Sequence, residues 1–150
     1  MSISHFNVRV YGLIINEKNE LLVSDEYCAN QYMTKFPGGG LEFGEGLIDG
    51  LKREFIEECN EEIEIISHFY TTDFFIQSVF GIGGQLISVY FRVAFKNTPA
   101  IVTVTEPFET LTPTKDAQVL RWIPLETLTS EHLTWPLDQV VAKMLIEKTF

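Results

Sequence analysis

Three glutamates on one predicted helix are the residues of this chain with the clearest capacity for chemistry. Glu54, Glu57 and Glu58 are spaced i, i+3 and i+4, so a helix places their carboxylates on one patch about one turn long. Like charges at this spacing repel one another, whereas a hard divalent cation reverses the sign of that interaction. Oxygen-only ligands of this kind suit Mg²⁺ or Mn²⁺. The alternative interpretation is a solvated acidic face answered by Lys52 and Arg53.

A glycine-rich segment comes shortly before the glutamates. Gly38, Gly39 and Gly40 follow Pro37, which restricts Phe36 to extended geometry, so the pattern predicts a strand that leads directly into a loop. Because glycine has no Cβ, its backbone can adopt positive φ or approach a ligand closely. A plain turn is the alternative, but the acidic residues that follow favour a functional loop.

The acidic patch requires a helix whose other side is buried. Leu47, Leu51 and Phe55 recur at i, i+4 and i+8, as on one face of an amphipathic helix. Ile48 lies beside them on the predicted buried stripe. The pattern predicts a helix over residues 46–59, held by packing because its glycines are poor helix formers.

Strands and a second helix are predicted on both sides of this helix. Apolar or alternating runs predict strands at residues 6–16, 21–24, 63–66, 85–95 and 118–123. The aromatic segment 68–76 predicts one long strand or two joined by a bend. Pro136 favours the start of a second helix, which we predict over residues 136–148. Polar segments predict loops, at residues 27–35 and 97–115.

The spacing of glycine and charged residues resembles the signature box of the Nudix hydrolases, G-x5-E-x7-R-E-U-x-E-E-x-G-U, where U is a bulky apolar residue. The box begins here at Gly39, passes Glu45 and Arg53, and contains all the expected acids. Its last two positions, Asn60 and Glu61, depart from the pattern. Asparagine is second to glycine for the left-handed residue that ends a helix, so we expect Asn60 to serve there. Glu61 is a mismatch that concerns the packing just after the helix.

The resemblance implies a fold and an activity. The expected fold is the α/β class, a Nudix-type α/β/α sandwich with a mixed central sheet, the box helix and a C-terminal helix. We expect a single such domain over residues 1–150. The implied activity is a Mg²⁺- or Mn²⁺-dependent pyrophosphohydrolase that cleaves a nucleoside diphosphate linked to another moiety, by attack of water on phosphorus.

The resemblance also implies a set of metal ligands. Glu54 and Glu58 would be the principal ligands, and Glu57 a further one, directly or through water. The Gly38 carbonyl is a possible addition. Gly39 would permit the loop conformation.

Positioning and proton transfer are implied for other residues of the box. Arg53 would pair with Glu45 and hold the carboxylates in register. The general base that accepts the proton of the attacking water would be Glu57 or Glu54. The rival candidates are two acids of the long loop, Glu106 and Glu109.

Composition restricts the kinds of partner. The chain has 150 residues, a net charge of −10 and a pI near 4.7, which disfavour binding to a long nucleic acid. A small anionic substrate requires a metal ion and local basic groups.

Two cysteines without metal-ligand spacing indicate a reduced, cytoplasmic environment. No signal peptide or membrane span is recognised, and the resemblance allows a homodimer.

The substrate is not indicated by the sequence. The family's ADP-ribose enzymes tend to carry a proline about fifteen residues beyond the box and its dinucleoside polyphosphate enzymes a tyrosine slightly later, and residues 75–79 contain neither. A non-catalytic nucleotide-binding or regulatory module with the same fold is therefore the alternative to an enzyme, and a plain interaction domain is a weaker one.

Overall fold

A computed structural model describes residues 2–148 of the chain. This part divides into two compact units: the first contains the residues up to 13 together with 37–99, and the second contains 14–36 and the residues from 100 onward. The prediction that residues 1–150 form a single domain stays a prediction.

Within residues 2–148 the chain forms eight strands, two α-helices and one 3₁₀ turn. In chain order they are β1 (His5–Leu13), β2 (Glu20–Cys28), β3 (Gln31–Lys35), β4 (Gly38–Gly40), α1 (Leu47–Cys59), β5 (Ile63–Thr71), β6 (Gly84–Phe95), β7 (Thr103–Val104), β8 (Gln118–Pro124), the 3₁₀ turn (Ser130–His132) and α2 (Pro136–Glu147).

The first unit is a mixed four-stranded sheet with α1 packed against it. Its strand order is β4-β1-β6-β5, where β1 runs parallel to β6 and antiparallel to β4, and β5 runs antiparallel to β6. Leu51 and Phe55 of α1 are fully buried, and the Phe55 ring lies 6.2 Å from that of Phe95. The helix is therefore held by its apolar face, as its weak propensity requires.

The second unit is a mixed sheet of order β3-β2-β8-β7, and it also contains α2. In this unit β2 is antiparallel to both β3 and β8, and β7 runs parallel to β8. Pro136 occupies the first turn of α2, as predicted. None of the helices within residues 2–148 is long and apolar enough to cross a membrane.

A buried ion pair lies in the second unit. Asp25 is fully buried, and its two oxygens accept from Arg121 at 2.8 and 2.9 Å. The same carboxylate accepts from the Thr34 hydroxyl at 2.7 Å and from the Phe108 backbone N–H at 3.1 Å. Four donors thus compensate for the burial of this charge.

The predicted fold class is confirmed: the protein is a mixed α/β structure with a box helix and a C-terminal helix. Its strands are divided between two mixed sheets.

The predicted loop at 27–35 is wrong, because β2 continues to Cys28 and β3 begins at Gln31. Ala29 and Asn30 make the turn with φ of 53° and 61°, a two-residue hairpin without the usual glycine.

The predicted buried stripe of the box helix is partly wrong. Ile48 is 42% exposed, and Leu47 is only half-buried. The buried stripe consists instead of Leu51, Phe55 and Cys59, one turn further along. Periodicity therefore identified the buried face of the helix but not the residue at which burial begins. In the aromatic segment, β5 ends at Thr71 and residues 72–76 belong to no strand.

Candidate active site and metal centre

The glycine strand β4 places the start of the box at one edge of the first sheet. Gly38, Gly39 and Gly40 lie opposite residues 11, 10 and 9 of β1. After this strand the chain makes a turn in which the Glu45 N–H donates to the Glu42 carbonyl at 3.4 Å, and α1 begins two residues later. The strand, turn and helix together bring glycine backbone and glutamate side chains into contact.

Gly38 has a backbone conformation that other residues rarely adopt. Its φ is +142°, and a Cβ at this position would collide with the carbonyl of Val10 and lie 2.8 Å from the Cα of Tyr11. Its N–H donates to Oε2 of Glu58 at 2.9 Å. The predicted ligand Glu58 is thus held against the glycine strand by a charge-assisted hydrogen bond.

Gly39 allows a carboxylate to lie directly on the backbone. A Cβ on this residue would lie 2.6 to 2.8 Å from the carboxylate atoms of Glu54, closer than real Cβ contacts. Glu54 is only 13% exposed. Two predicted metal ligands, Glu54 and Glu58, therefore pack against consecutive residues of β4.

Arg53 lies among the carboxylates of the box. Its Nη2 and Nε donate to the two oxygens of Glu45 at 2.7 and 3.0 Å, and its Nη1 donates to Glu54 at 3.2 Å and Glu57 at 3.1 Å. Nη2 also donates to the Gly40 carbonyl at 3.0 Å. One guanidinium thereby joins three carboxylates to the glycine strand.

The hydrogen bonds between Arg53 and Glu45 stabilise both charged forms. They hold the pKa of the Glu45 carboxyl below its usual value and raise the pKa of Arg53, with the contact to Glu57 adding to the latter effect. The pair therefore remains ionised around neutral pH. This is the geometry expected of a group that fixes the other carboxylates in register.

Comparison with known proteins decides the family. A family model described as the NUDIX domain matches residues 5–145, nearly the whole chain. The chain belongs to the Nudix family. This membership confirms the prediction of a hydrolase that acts on phosphoric anhydride bonds. A comparison with curated protein sequences found no match.

Solved structures of Nudix proteins share the fold at low sequence identity. A MutT Nudix hydrolase from Burkholderia pseudomallei is 15% identical with a TM-score of 0.68, covering 93% of this chain and 97% of that one. A Nudix hydrolase from Nitrosomonas europaea is 15% identical with a TM-score of 0.67 and coverages of 93% and 88%. An ADP-ribose pyrophosphatase from Streptococcus suis is 15% identical with a TM-score of 0.59 and coverages of 93% and 86%.

The box residues offer the donors that a divalent ion of a Nudix hydrolase requires. Carboxylate oxygens beside a strand of backbone amides and carbonyls are hard ligands, which match Mg²⁺ or Mn²⁺ in chemistry. In the present side-chain arrangement Nη1 of Arg53 donates to both Glu54 and Glu57. Within residues 2–148 no three Asp, Glu, His or Cys side chains meet the geometry of a metal site. Among the three predicted ligands Glu54, Glu57 and Glu58, the side chain of Glu57 is the exposed one, at 56%.

The two late candidates for the general base lie in the second unit. Glu106 and Glu109 occupy one turn, where the Glu106 N–H donates to the Glu109 carboxylate at 3.0 Å and the Glu109 N–H donates back to the Glu106 carbonyl at 3.2 Å. Their role in proton transfer stays a prediction.

Two charged residues in and near this site were missed in the sequence. Glu42 lies 3.6 Å from Arg53, and its N–H donates to Glu45 at 2.9 Å; its position three residues before Glu45 was the available signal. Arg9 lies next to Gly40 on the other face of β4. The signal for Arg9 was an arginine between two valines, Val8 and Val10, of a predicted strand.

Proposed function

We propose that this chain is a Mg²⁺- or Mn²⁺-dependent pyrophosphohydrolase that cleaves a nucleoside diphosphate linked to another moiety. The observation that carries the proposal is the cluster around Arg53, in which one guanidinium fixes Glu45, Glu54 and Glu57 while Glu58 is held on the Gly38 N–H. Preorganised carboxylates beside a glycine strand are what metal-assisted phosphoryl chemistry requires of a protein.

The metal would be held by Glu54, Glu57 and Glu58, with the Gly38 carbonyl as a further ligand. When bound, a divalent ion supplies Lewis acidity and neutralises charge on the diphosphate. Arg53 does not react; it holds the glutamates at fixed positions so that they need not reorganise during the reaction.

Proton transfer falls to a carboxylate that water can reach. An oxygen of water forms the new bond to phosphorus as the bond to the bridging oxygen breaks, and the water proton passes to the base. Glu57, at 56% exposure, is better placed for this than Glu54, whose carboxylate lies on Gly39. Glu106 and Glu109 are the competing bases.

One of the motives for the non-catalytic alternative is weakened by the structure. It rested partly on the departure from the box at Asn60, yet Asn60 ends α1 in the left-handed conformation, with φ 53° and ψ 38°, and donates to the Ile56 carbonyl at 3.0 Å. Asparagine here performs the structural role of the usual glycine. We therefore favour turnover. Cytoplasmic location and a homodimer stay predictions.

The test is a hydrolysis assay with Mg²⁺ or Mn²⁺ on a panel that includes nucleoside triphosphates, ADP-ribose and dinucleoside polyphosphates, with product identification. We expect release of a nucleoside monophosphate, phosphate or pyrophosphate from at least one compound. Glu57→Gln and Glu58→Gln should each lower kcat by roughly 10²-fold or more. Glu147→Gln, at an exposed position of α2, removes the same charge and should change nothing. Metal-independent turnover, or none on the whole panel, would contradict the proposal.

A further inference from the structure

The face of the first sheet opposite the acidic cluster carries a preorganised cation. Arg9 lies on β1 directly opposite Gly40, and a Cβ on Gly40 would lie 3.6 Å from Nη1 of Arg9. A Cβ on the preceding Gly39 would instead point at Glu54. Because successive residues of a strand face opposite sides, the three-glycine edge strand β4 separates the glutamates from Arg9 by the thickness of one backbone.

The guanidinium of Arg9 is fixed by two aromatic residues. Its Cζ lies 4.1 Å from the centroid of the Phe80 ring, and its Nε donates to the hydroxyl of Tyr11 at 2.6 Å. Arg9 is half-buried. A cation held over an aromatic ring loses little rotational freedom when it binds an anion, which favours recognition of phosphate by a planar fork of donors.

A neighbouring polar group on the same face also points to a ligand. Ser88 of β6 is paired with Arg9 in the register, so their side chains share a face of the sheet. Ser88 is 1% exposed, and within residues 2–148 its hydroxyl has no hydrogen-bond partner. Buried hydroxyls usually have a hydrogen-bond partner. An unpaired hydroxyl on the same face as the Arg9 guanidinium therefore indicates a place where a polar ligand supplies the missing hydrogen bond.

We propose that Arg9 is a substrate-binding residue that contacts a phosphate of the nucleoside diphosphate on the side of β4 away from the glutamates. This proposal rests on the proposed function for the identity of the ligand. In this arrangement the diphosphate extends around the free edge of β4. Its reacting phosphate lies near the acidic cluster and its other phosphate lies near Arg9. In a chain of net charge −10, a cation at this point offsets the repulsion that an anionic substrate meets.

The test compares Arg9→Met and Arg9→Lys with the unmodified protein in two assays. The first is calorimetric binding of ADP with Mg²⁺ present, and the second is the steady-state kinetics of whichever panel compound is hydrolysed. We expect Arg9→Met to weaken ADP binding and raise KM by about 10- to 100-fold, the value of a charge-assisted contact, with kcat within about threefold. Arg9→Lys should lie between, because it keeps the charge but loses the fork.

Two further variants keep the proposal falsifiable. Lys143→Met removes an exposed charge of α2 and should leave both assays unchanged. Tyr11→Phe removes the acceptor that aligns Arg9 and should raise KM a few-fold, even if Arg9→Met fails to fold. Folded Arg9→Met protein with unchanged ADP affinity and KM would overturn the role of Arg9 while leaving the hydrolase intact. ADP binding that depends on Arg9 without any turnover would instead support this site and count against the proposed function.

Discussion

Gly39→Ala tests the packing of the site through a single methyl group. The added Cβ would lie 2.6 Å from Oε1 of Glu54, whereas ordinary contacts begin at 3.4 Å, so the carboxylate or the strand must move by about 0.8 Å. Glu54 is largely buried and lies 3.2 Å from Arg53, so a shift of its carboxylate disturbs that ion pair. Overpacking of this kind costs about 1–3 kcal/mol of the free energy of unfolding. A shift approaching 1 Å at a catalytic carboxylate costs on the order of 10²-fold in rate.

Gly40→Ala is the matched control, because it lies next in the same strand. Its Cβ would meet Arg9 Nη1 at 3.6 Å, an ordinary contact, so we expect a small change in stability and no displacement of Glu54. Urea denaturation gives the free energy of unfolding of each variant, and the hydrolysis assay gives kcat.

A double-mutant cycle separates the steric clash from other effects of alanine at position 39. Glu54→Ala removes the group with which the new methyl collides, so Gly39→Ala should cost little in that background, a coupling of about 1–3 kcal/mol. The reasoning is refuted if Gly39→Ala and Gly40→Ala are equally stable, or if the Glu54→Ala background does not restore stability.

Three other predictions concern Arg53, the end of α1 and the buried ion pair of the second unit. Arg53→Met should lower kcat by roughly 10²-fold with a folded protein, because the glutamates lose their common donor, and Arg53→Lys should not restore it, because an ammonium cannot bridge three carboxylates in one plane; steady-state kinetics decides. Asn60→Gly should leave the free energy of unfolding equal or higher, whereas Asn60→Val should lower it by about 1–2 kcal/mol, since φ of 53° strains a β-branched residue; equal stabilities in urea would contradict this. Asp25→Ala should cost about 3–5 kcal/mol by stranding Arg121, and the double variant Asp25→Leu/Arg121→Met should recover part of it, because the Thr34 hydroxyl and the Phe108 N–H still lose their acceptor; a single variant as stable as the double one would count against this.

The box helix could be predicted closely because several local signals agree there. Apolar spacing at Leu51 and Phe55, the glycines before the helix and Asn60 after it all indicate the same element, and α1 ends at Cys59 as expected. The hairpin at Ala29 and Asn30 could not be predicted in this way, because its turn lacks the glycine that normally marks such a loop.

Long-range contacts explain which residues could not be predicted from the sequence. Asp25 lies between two polar residues, Ser24 and Glu26, so the local sequence does not indicate that it is buried. The pairing of β2 with β8 brings Arg121 to it. Arg9 likewise acquires its position from β4 and from Phe80, which lies about seventy residues further along the chain. Such residues are identified by strand order and register, which no local pattern contains.

The charges of the box explain why this cluster suits a metal better than a purely structural role. Arg53 contributes one positive charge to four carboxylates, those of Glu42, Glu45, Glu54 and Glu57, so the group remains net negative even with every contact formed. If the network were purely structural, replacing one of its helix glutamates by a neutral residue would stabilise it, because carboxylates spaced i, i+3 or i+4 repel one another. The surplus is most marked where Glu54 packs on the backbone of Gly39, close to Glu58 on Gly38. A divalent cation would offset that surplus, and this is how the proposed function accounts for acids that a purely structural network does not need.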